Sequence, residues 1–248
     1  MRPDGREPDQ VRTLVIEPDF VRYPEGSVLY RAGDTMVLCN ASVLDRTAPF
    51  LRGSGEGWVT AEYAMLPRAT ETRSDREVSR GRPSGRSQEI QRLIGRSLRA
   101  AVRRDLLGER TLAIDCDVLQ ADGSTRTASI SGGWIALALA LGRMYEQGLL
   151  DEWPLCQQIV SVAVGLVGAE ARVDLDYGED FDCDVDLNLV FTGGGRLIEV
   201  QGTAEGSPFS REQLDVLLEV GWQGAEQVAA KQREIVQPRL EKLGLKLP

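Results

Sequence analysis

A helix that is apolar nearly all the way round is stable in water only when other elements cover it. Residues 131–149 have that pattern, with Ile135, Leu137, Leu139 and Leu141 carrying the apolar character, and the expectation is a buried helix. Its surroundings are read from the rest of the chain. Runs rich in Val, Ile, Leu and Thr at 11–16, 27–30, 35–44, 111–119, 161–167, 171–177, 185–192 and 196–201 predict strands. Glycine-bearing breaks, Ala32-Gly33-Asp34 and Gly193-Gly194-Gly195, separate neighbouring runs as hairpin loops do. Residues 88–107 predict another helix, with Ile90, Leu93, Ile94, Leu98, Ala101 and Val102 on one face and Arg92, Arg96, Arg99 and Arg103 on the other. A third helix is predicted over 210–232, opened by Ser210 and Glu212. Hairpin strands and a helix, then strands and a final helix, give a loose two-fold rhythm without tandem repeats or a dividing linker. The predicted class is α/β with mixed sheets and helices, one domain over 1–236 followed by a short Lys-bearing tail at 237–248.

The chain contains no histidine, which removes Ser-His-Asp and Cys-His nucleophilic catalysis, histidine general bases and most zinc sites. Chemistry is left to carboxylates, arginines, hydroxyls and bound metal. A net charge of −9 argues against nucleic-acid binding over the whole surface, yet the charge is unevenly distributed. Between residues 67 and 110 there are twelve arginines against six acids; between 174 and 186 there are seven acids and no base. Such a division suggests an anionic ligand steered by the first segment and a metal or acid catalyst in the second. The alternative is that the two segments neutralise each other. Cys39, Cys116, Cys156 and Cys183 lack CxxC spacing and are expected to be buried free thiols. No stretch of the first ten residues resembles a signal peptide and no later segment reads as a membrane span, so a cytoplasmic, membrane-free setting is expected.

Several segments are able to carry chemistry. Gln120-Ala121-Asp122-Gly123-Ser124-Thr125-Arg126-Thr127 follows a strand and precedes the buried helix. A helix N-terminus offers free N–H groups and partial positive charge, Gly123 permits close backbone approach, and the Arg126 fork matches a phosphate. Plain N-capping explains the Ser124, Thr125 and Thr127 hydroxyls equally well, but leaves Arg126 without a purpose. Arg86, beside Gly85 and just ahead of another helix, is either a second arm of an anion clamp or a surface charge. Arg68, Arg73 and Arg76 fall in a Ser/Thr-rich loop that either tracks an RNA backbone or is simply solvated. The Arg92–Arg103 stripe is read as a solvated or subunit-contacting face, or as a direct RNA contact. In the acidic segment, Asp184, Asp186 and Asn188 share a face if the strand has already begun at Asp184, with Asp180 on the approaching turn. Clustered carboxylates repel, and the remedy is a bound divalent cation or a retained proton. An EF-hand loop does not fit the spacing.

Longer blocks carry a resemblance. Gly57-Trp58-Val59-Thr60-Ala61-Glu62-Tyr63-Ala64-Met65-Leu66-Pro67-Arg68-Ala69-Thr70, Arg73-Ser74-Asp75-Arg76-Glu77, and 88–96 stand with Asp115-Cys116-Asp117-Val118-Leu119-Gln120-Ala121-Asp122-Gly123 and 199–206 as a closely matching set. With Arg2-Pro3-Asp4-Gly5-Arg6 at the start, the chain resembles the ribonuclease PH family almost to Val236. The resemblance implies a ribosomal protein S5 domain 2-like α/β fold, a ring-shaped homo-hexamer, and use of inorganic phosphate to release nucleoside diphosphates from the 3′ ends of tRNA precursors and other RNAs. It implies that Arg86, Ser124, Thr125 and Arg126 bind the attacking phosphate. It further implies that Asp180 and Asp186 serve catalysis or hold a divalent cation such as Mg²⁺, and that Arg68, Arg73 and Arg76 guide the RNA. Phe181, Cys183 and Asp184 depart from the family's pattern, so the acidic turn is expected to be shaped differently. A catalytically silent RNA-binding ring subunit and an unrelated carboxylate enzyme acting on an anionic metabolite are the competing readings.

Overall fold

The computed structural model describes residues 2–248 and contains two β-sheets and four α-helices. The first sheet is ordered β1 (Leu14–Pro18), β2 (Gly26–Ala32), β3 (Thr35–Leu44), β5 (Thr111–Gln120), β4 (Trp58–Met65); the β4–β5 pair is parallel and the rest antiparallel. Helix α1 (Gly85–Arg99) supplies the crossover between β4 and β5 that a parallel pair requires. The second sheet is antiparallel throughout, ordered β7 (Glu170–Val173), β6 (Ile159–Val167), β8 (Val185–Thr192), β9 (Leu197–Ala204). Helix α2 (Thr125–Glu146) packs on β2, β3 and β5 on one side and on β6 and α4 (Arg211–Glu241) on the other. The short α3 (Tyr177–Asp182) joins β7 to β8.

Helix α2 is buried along almost its whole length, as its apolar circumference requires. Trp134 is fully buried and donates its ring N–H to the Gln157 carbonyl at 3.0 Å. Strand β2 approaches so closely that a Cβ on Gly26 would sit 1.9 Å from the Ala136 carbonyl oxygen, which no other residue permits. Side-chain hydrogen bonds stitch the junction between the halves. Gln232 of α4 donates to the Ser131 and Ile159 carbonyls at 3.0 Å each, and Gln158 donates to Gln232 at 2.8 Å. Buried polar groups satisfied in this way fix one arrangement of α2, β6 and α4.

Element boundaries differ from expectation in informative places. Strands β3 and β8 lie where the pattern puts them. Strand β4 carries Glu62 and two alanines, which dilute its strand signal, although its inward positions Val59, Ala61 and Tyr63 alternate correctly. Helix α1 stops at Arg99 rather than running to 107; Val102 instead bridges to Leu155, and residues Arg104–Leu106 form a 3₁₀ turn. Helix α2 starts at Thr125, six residues early, and α4 continues past 232 through Pro238 to Glu241, with Val236 and Leu240 buried. All four cysteines are free; Cys39 and Cys116 face each other across β3 and β5, and only Cys156 is partly exposed.

The N-terminal segment is tied down by charge. Arg12 grips Asp174 with a side-chain fork at 2.8 and 3.0 Å, and its backbone N–H reaches the same carboxylate at 2.7 Å. Arg2 grips Glu179 at 2.6 and 2.9 Å, with only 1% and 4% of the two side chains exposed, and also donates to the Val173 carbonyl at 2.9 Å. Arg172 meets Glu179 from the other side at 3.0 Å. Burial pushes Asp174 up, but the charge and hydrogen bonds of Arg12 outweigh it and hold the carboxylate below its ordinary range. Arg12→Ala therefore leaves a buried carboxylate whose remaining partners are the backbone N–H of residue 12 and Arg6, at 3.6 Å. Loss of about 3 kcal/mol is expected, the low end for breaking a buried pair. A urea titration reads it, and an unchanged midpoint refutes it. Because the folded-state pKa is depressed, this stabilisation is present above the ordinary carboxylate pKa and fades as the pH falls through the folded value.

Candidate active site

The site is built where α2 begins. Strand β5 ends at Gln120, and the chain turns through two consecutive left-handed residues, Gly123 at φ +71° and Ser124 at φ +56°, into the helix. Gly123 is required twice over, since a Cβ there would lie 2.5 Å from the Leu175 carbonyl oxygen. The Ser124 hydroxyl donates to that carbonyl at 2.9 Å, Thr125 shares a hydrogen bond with the Tyr63 hydroxyl at 2.9 Å, and Thr127 donates back to the Ser124 carbonyl at 2.9 Å. None of these hydroxyls caps the helix. The capping explanation of the motif is thereby set aside: the hydroxyls hold the turn, and the helix meets the cleft without a side-chain cap.

The cleft in front of that turn has a volume of about 260 Å³ and is lined by Arg86, Ser124, Thr125, Arg126, Asp180 and Asp186, with Thr70, Tyr177 and Asn188 among its other walls. Arg126 is oriented by the Gln201 side-chain oxygen at 2.7 Å and by both oxygens of Glu89 at 3.4 Å, and Gln201 in turn donates to Glu89 at 3.0 Å. Arg86 lies exposed in the first turn of α1, whose start is capped by Ser84 through a 3.1 Å bond from the Ser87 N–H. Glu89 and Gln201 escaped the residue-level reading; the only sequence signal for them is their place inside the long matching blocks.

Asp180 sits in the last turn of α3 and Asp186 near the start of β8. Burial raises the pKa of Asp180 against the pull of Arg86 and Arg126. Burial and the charge of Asp180 push Asp186 up to about 6, with Arg126 and Asn188 pulling the other way. Asp186 Oδ2 accepts from Asn188 at 3.4 Å, while its buried Oδ1 has no hydrogen-bond partner among the described residues. Among those residues no cluster of three or more His, Cys, Asp or Glu side chains is able to cage a metal. The donor set fits a hard cation held by one or two carboxylates, with its other ligands from water and substrate phosphate.

The remaining acids of the segment do other work. Asp174 and Glu179 hold the arginines described above, and Asp176 caps α3 by accepting from the Glu179 N–H at 2.9 Å. Asp182 and Asp184 are exposed. Asp184 precedes β8, so it does not share a strand face with Asp186 and Asn188; the strand begins only at Val185. Cys183 donates its thiol to the Asp180 carbonyl at 3.1 Å, and burial together with Asp186 and Asp180 pushes its pKa up to about 12, leaving it neutral.

Arg68, Arg73 and Arg76 are exposed on the loop after β4, which is pinned to the mouth of the cleft by a 2.8 Å bond from the Ala121 N–H to the Ala69 carbonyl. Arg73 meets Asp75 at 3.3 Å with both side chains in water, a pair worth under about 1 kcal/mol. In the arginine stripe, Arg96 makes a two-pronged pair with Glu199 of β9 at 2.8 Å, and Arg99 lies over the Trp58 ring at 4.4 Å. Part of that face is thus structural.

Comparison with known proteins gives a consistent picture. The model of domain 1 of the 3′ exoribonuclease family matches residues 10–141, and that of domain 2 matches residues 157–224. Ribonuclease PH of Syntrophomonas wolfei is 54% identical over 235 residues, 95% of this chain and 98% of that protein. Ribonuclease PH of Bacillus velezensis is 51% identical over 244 residues, 98% of this chain and 100% of that protein. The solved Archaeoglobus fulgidus exosome with RNA bound to its active site has a chain 25% identical, with a TM-score of 0.77, covering 93% of this chain and 92% of that one.

The raised pKa of Asp186 has a measurable consequence. A carboxyl whose folded-state value of about 6 exceeds its ordinary 3.8 costs stability when ionised. That cost is absent below the ordinary value and complete above the folded one. Asp186→Asn is therefore expected to stabilise the fold by about 1–2 kcal/mol at pH 8, after allowance for partial solvation, and not at pH 4. Thermal unfolding at the two pH values measures it; an equal effect at both contradicts the assignment.

Proposed function

The chain belongs to the 3′ exoribonuclease family, and on that premise we propose that it degrades RNA from the 3′ end by phosphorolysis, using inorganic phosphate and releasing nucleoside diphosphates. The observation that carries this is the meeting, in one cleft, of Arg86, Arg126 and the uncapped start of α2 with the carboxyls of Asp180 and Asp186. A hydrolase must activate water, which calls for a strong base or two tightly held metals, and no histidine is present to serve. Phosphate is already anionic and needs orientation more than deprotonation. Arg86, Arg126 and the N–H groups around Ser124 and Thr125 supply it. A phosphate oxygen attacks the phosphorus of the terminal linkage, the bond to the penultimate O3′ breaks, and a proton goes to that oxygen. Asp186, poised near pH 6, is suited to give it. In the alternative arrangement Asp180 and Asp186, both ionised, would hold a divalent cation, for which Mg²⁺ is the natural candidate, and when bound it offsets charge on the scissile phosphate. Run backwards, the same chemistry adds nucleotides.

The proposed substrates are tRNA precursors, with ribosomal RNA and other structured RNAs beside them, guided by Arg68, Arg73 and Arg76. A homo-hexameric ring and a cytoplasmic setting complete the proposal; no helix among the described residues is long and apolar enough to cross a membrane. The alternative of a silent ring subunit is disfavoured because the arginines and both aspartates are in place together.

Incubation of labelled, 3′-extended tRNA is expected to give nucleoside diphosphates only when phosphate is added, and almost none with Asp180→Asn or Asp186→Asn. Monophosphates formed without phosphate would sink the mechanism. Changing Arg68, Arg73 and Arg76 together to Ala is expected to weaken tRNA binding and to flatten its logarithmic salt slope by about one unit per lost phosphate contact. Filter binding across a salt series checks this, and an unaltered slope assigns the loop to solvent alone.

A further inference from the structure

Helix α3 carries two aromatic rings that the described residues leave largely exposed. Tyr177 and Phe181 are four residues apart and leave the helix on one face, with ring centroids 6.4 Å apart and planes inclined by 34°. Tyr177 is 64% exposed and Phe181 is 77% exposed. Isolated apolar side chains on a surface need no explanation, but an exposed aromatic pair beside two reactive carboxyls points to a ligand. Tyr177 lines the same cleft as Asp180 and Asp186, and Phe181 extends the aromatic surface beyond its rim.

Other parts of the rim differ in chemistry. Thr70 and Arg86 line the cleft, and the exposed Arg68, Arg73 and Arg76 lie along the loop that carries Thr70. Cations that take phosphates, combined with open π-faces that take bases, are the two elements by which a protein holds a single strand of nucleic acid without reading its sequence. Every base has a π-face, so such a grip suits an enzyme that must accept each successive nucleotide.

We propose that Tyr177 and Phe181 form a stacking platform for the bases at the 3′ end of the RNA. The inference rests on the reading of the cleft as the place where RNA 3′ ends react. Stacking fixes the terminal base, and thereby the sugar and linkage attached to it, in front of Asp180, Asp186 and the phosphate clamp. The exposure of both rings means that aliphatic replacements leave the core untouched.

The test is fluorescence anisotropy with a 5′-labelled single-stranded RNA, ending either in an ordinary nucleotide or in one lacking its base, without added phosphate. The chain is compared with Tyr177→Leu/Phe181→Leu and with Tyr177→Phe/Phe181→Trp, each checked by circular dichroism and size exclusion. The leucine variant is expected to bind the ordinary RNA about ten- to a hundredfold more weakly. Its discrimination between ordinary and base-less ends should collapse toward one, while the ring-preserving variant keeps both properties. Unchanged affinity or unchanged discrimination in the leucine variant overturns the platform, as does a changed elution volume, which would mean that another copy of the chain covers the rings. Because this readout needs no turnover, it separates the two proposals. Base discrimination without phosphate-dependent diphosphates upholds the platform and defeats phosphorolysis, whereas diphosphates made without base discrimination do the reverse.

Discussion

Seventeen of the twenty-two residues of α2 are buried, and a helix in that position must be covered on both sides by sheets or helices that cannot themselves be displaced. The first sheet lies on one flank, β6 and α4 on the other, and the contact is close enough to demand glycine at position 26. Burying a helix so fully removes water as a partner for its termini. The free N–H groups of its first turn then have to face either a side chain or a cavity. Here the Ser124, Thr125 and Thr127 hydroxyls are occupied elsewhere, and the helix opens onto the cleft. The proposed anion site is in this sense a by-product of how the core is assembled, with Arg86 and Arg126 placed around it.

Charge is handled by division of labour. The acidic segment and the basic segment do not simply neutralise one another: the arginines that pair with Asp174 and Glu179 come from the N-terminal segment and from Arg172. The Arg12–Asp174 and Arg2–Glu179 pairs are buried and forked, so they fix geometry more than they add net stability. They anchor the segment that leads into α3 and the middle of that helix, and Asp180, next to Glu179, lines the cleft. The basic segment remains available on the surface, apart from members such as Arg96 and Arg99 that pin α1 to β9 and to Trp58.

The cleft is where the fold tolerates unfavourable local terms. Ser124 holds a left-handed backbone, Asp186 keeps one buried oxygen without a hydrogen-bond partner among the described residues, and its pKa is displaced toward neutrality by burial and by Asp180. Each is a cost that surrounding contacts offset, and each leaves a group prepared for a ligand or a proton. Tyr177 adds apolar surface to the same cleft, and Phe181 extends it beyond the rim. Concentration of such features within one cleft is what distinguishes it from the other depressions of the surface.

Much of this was legible in the chain itself, because some properties depend only on local pattern. Runs of Val, Ile, Leu and Thr marked β3 and β8, an apolar circumference required α2 to be buried, and a Gly-Ser-Thr-Arg turn ahead of a helix marked a candidate anion site beside the plain capping reading. Arg86, Ser124, Thr125, Arg126, Asp180 and Asp186 were each singled out from the sequence, and the fold brings all six to one cleft. Strand β4 and helix α3 were not read, since alanines and glutamate blur the first and six polar and aromatic residues give the second no apolar stripe. Nor did the sequence separate Asp174 and Glu179, bound to arginines more than a hundred and sixty positions away, from Asp180 and Asp186. The partners of Arg126 are also distant in sequence, Glu89 by 37 positions and Gln201 by 75, and they lie on different elements. Local chemistry states what a residue is able to do, whereas its protonation, orientation and exposure are set by neighbours that only the packing of the two sheets about α2 brings within reach.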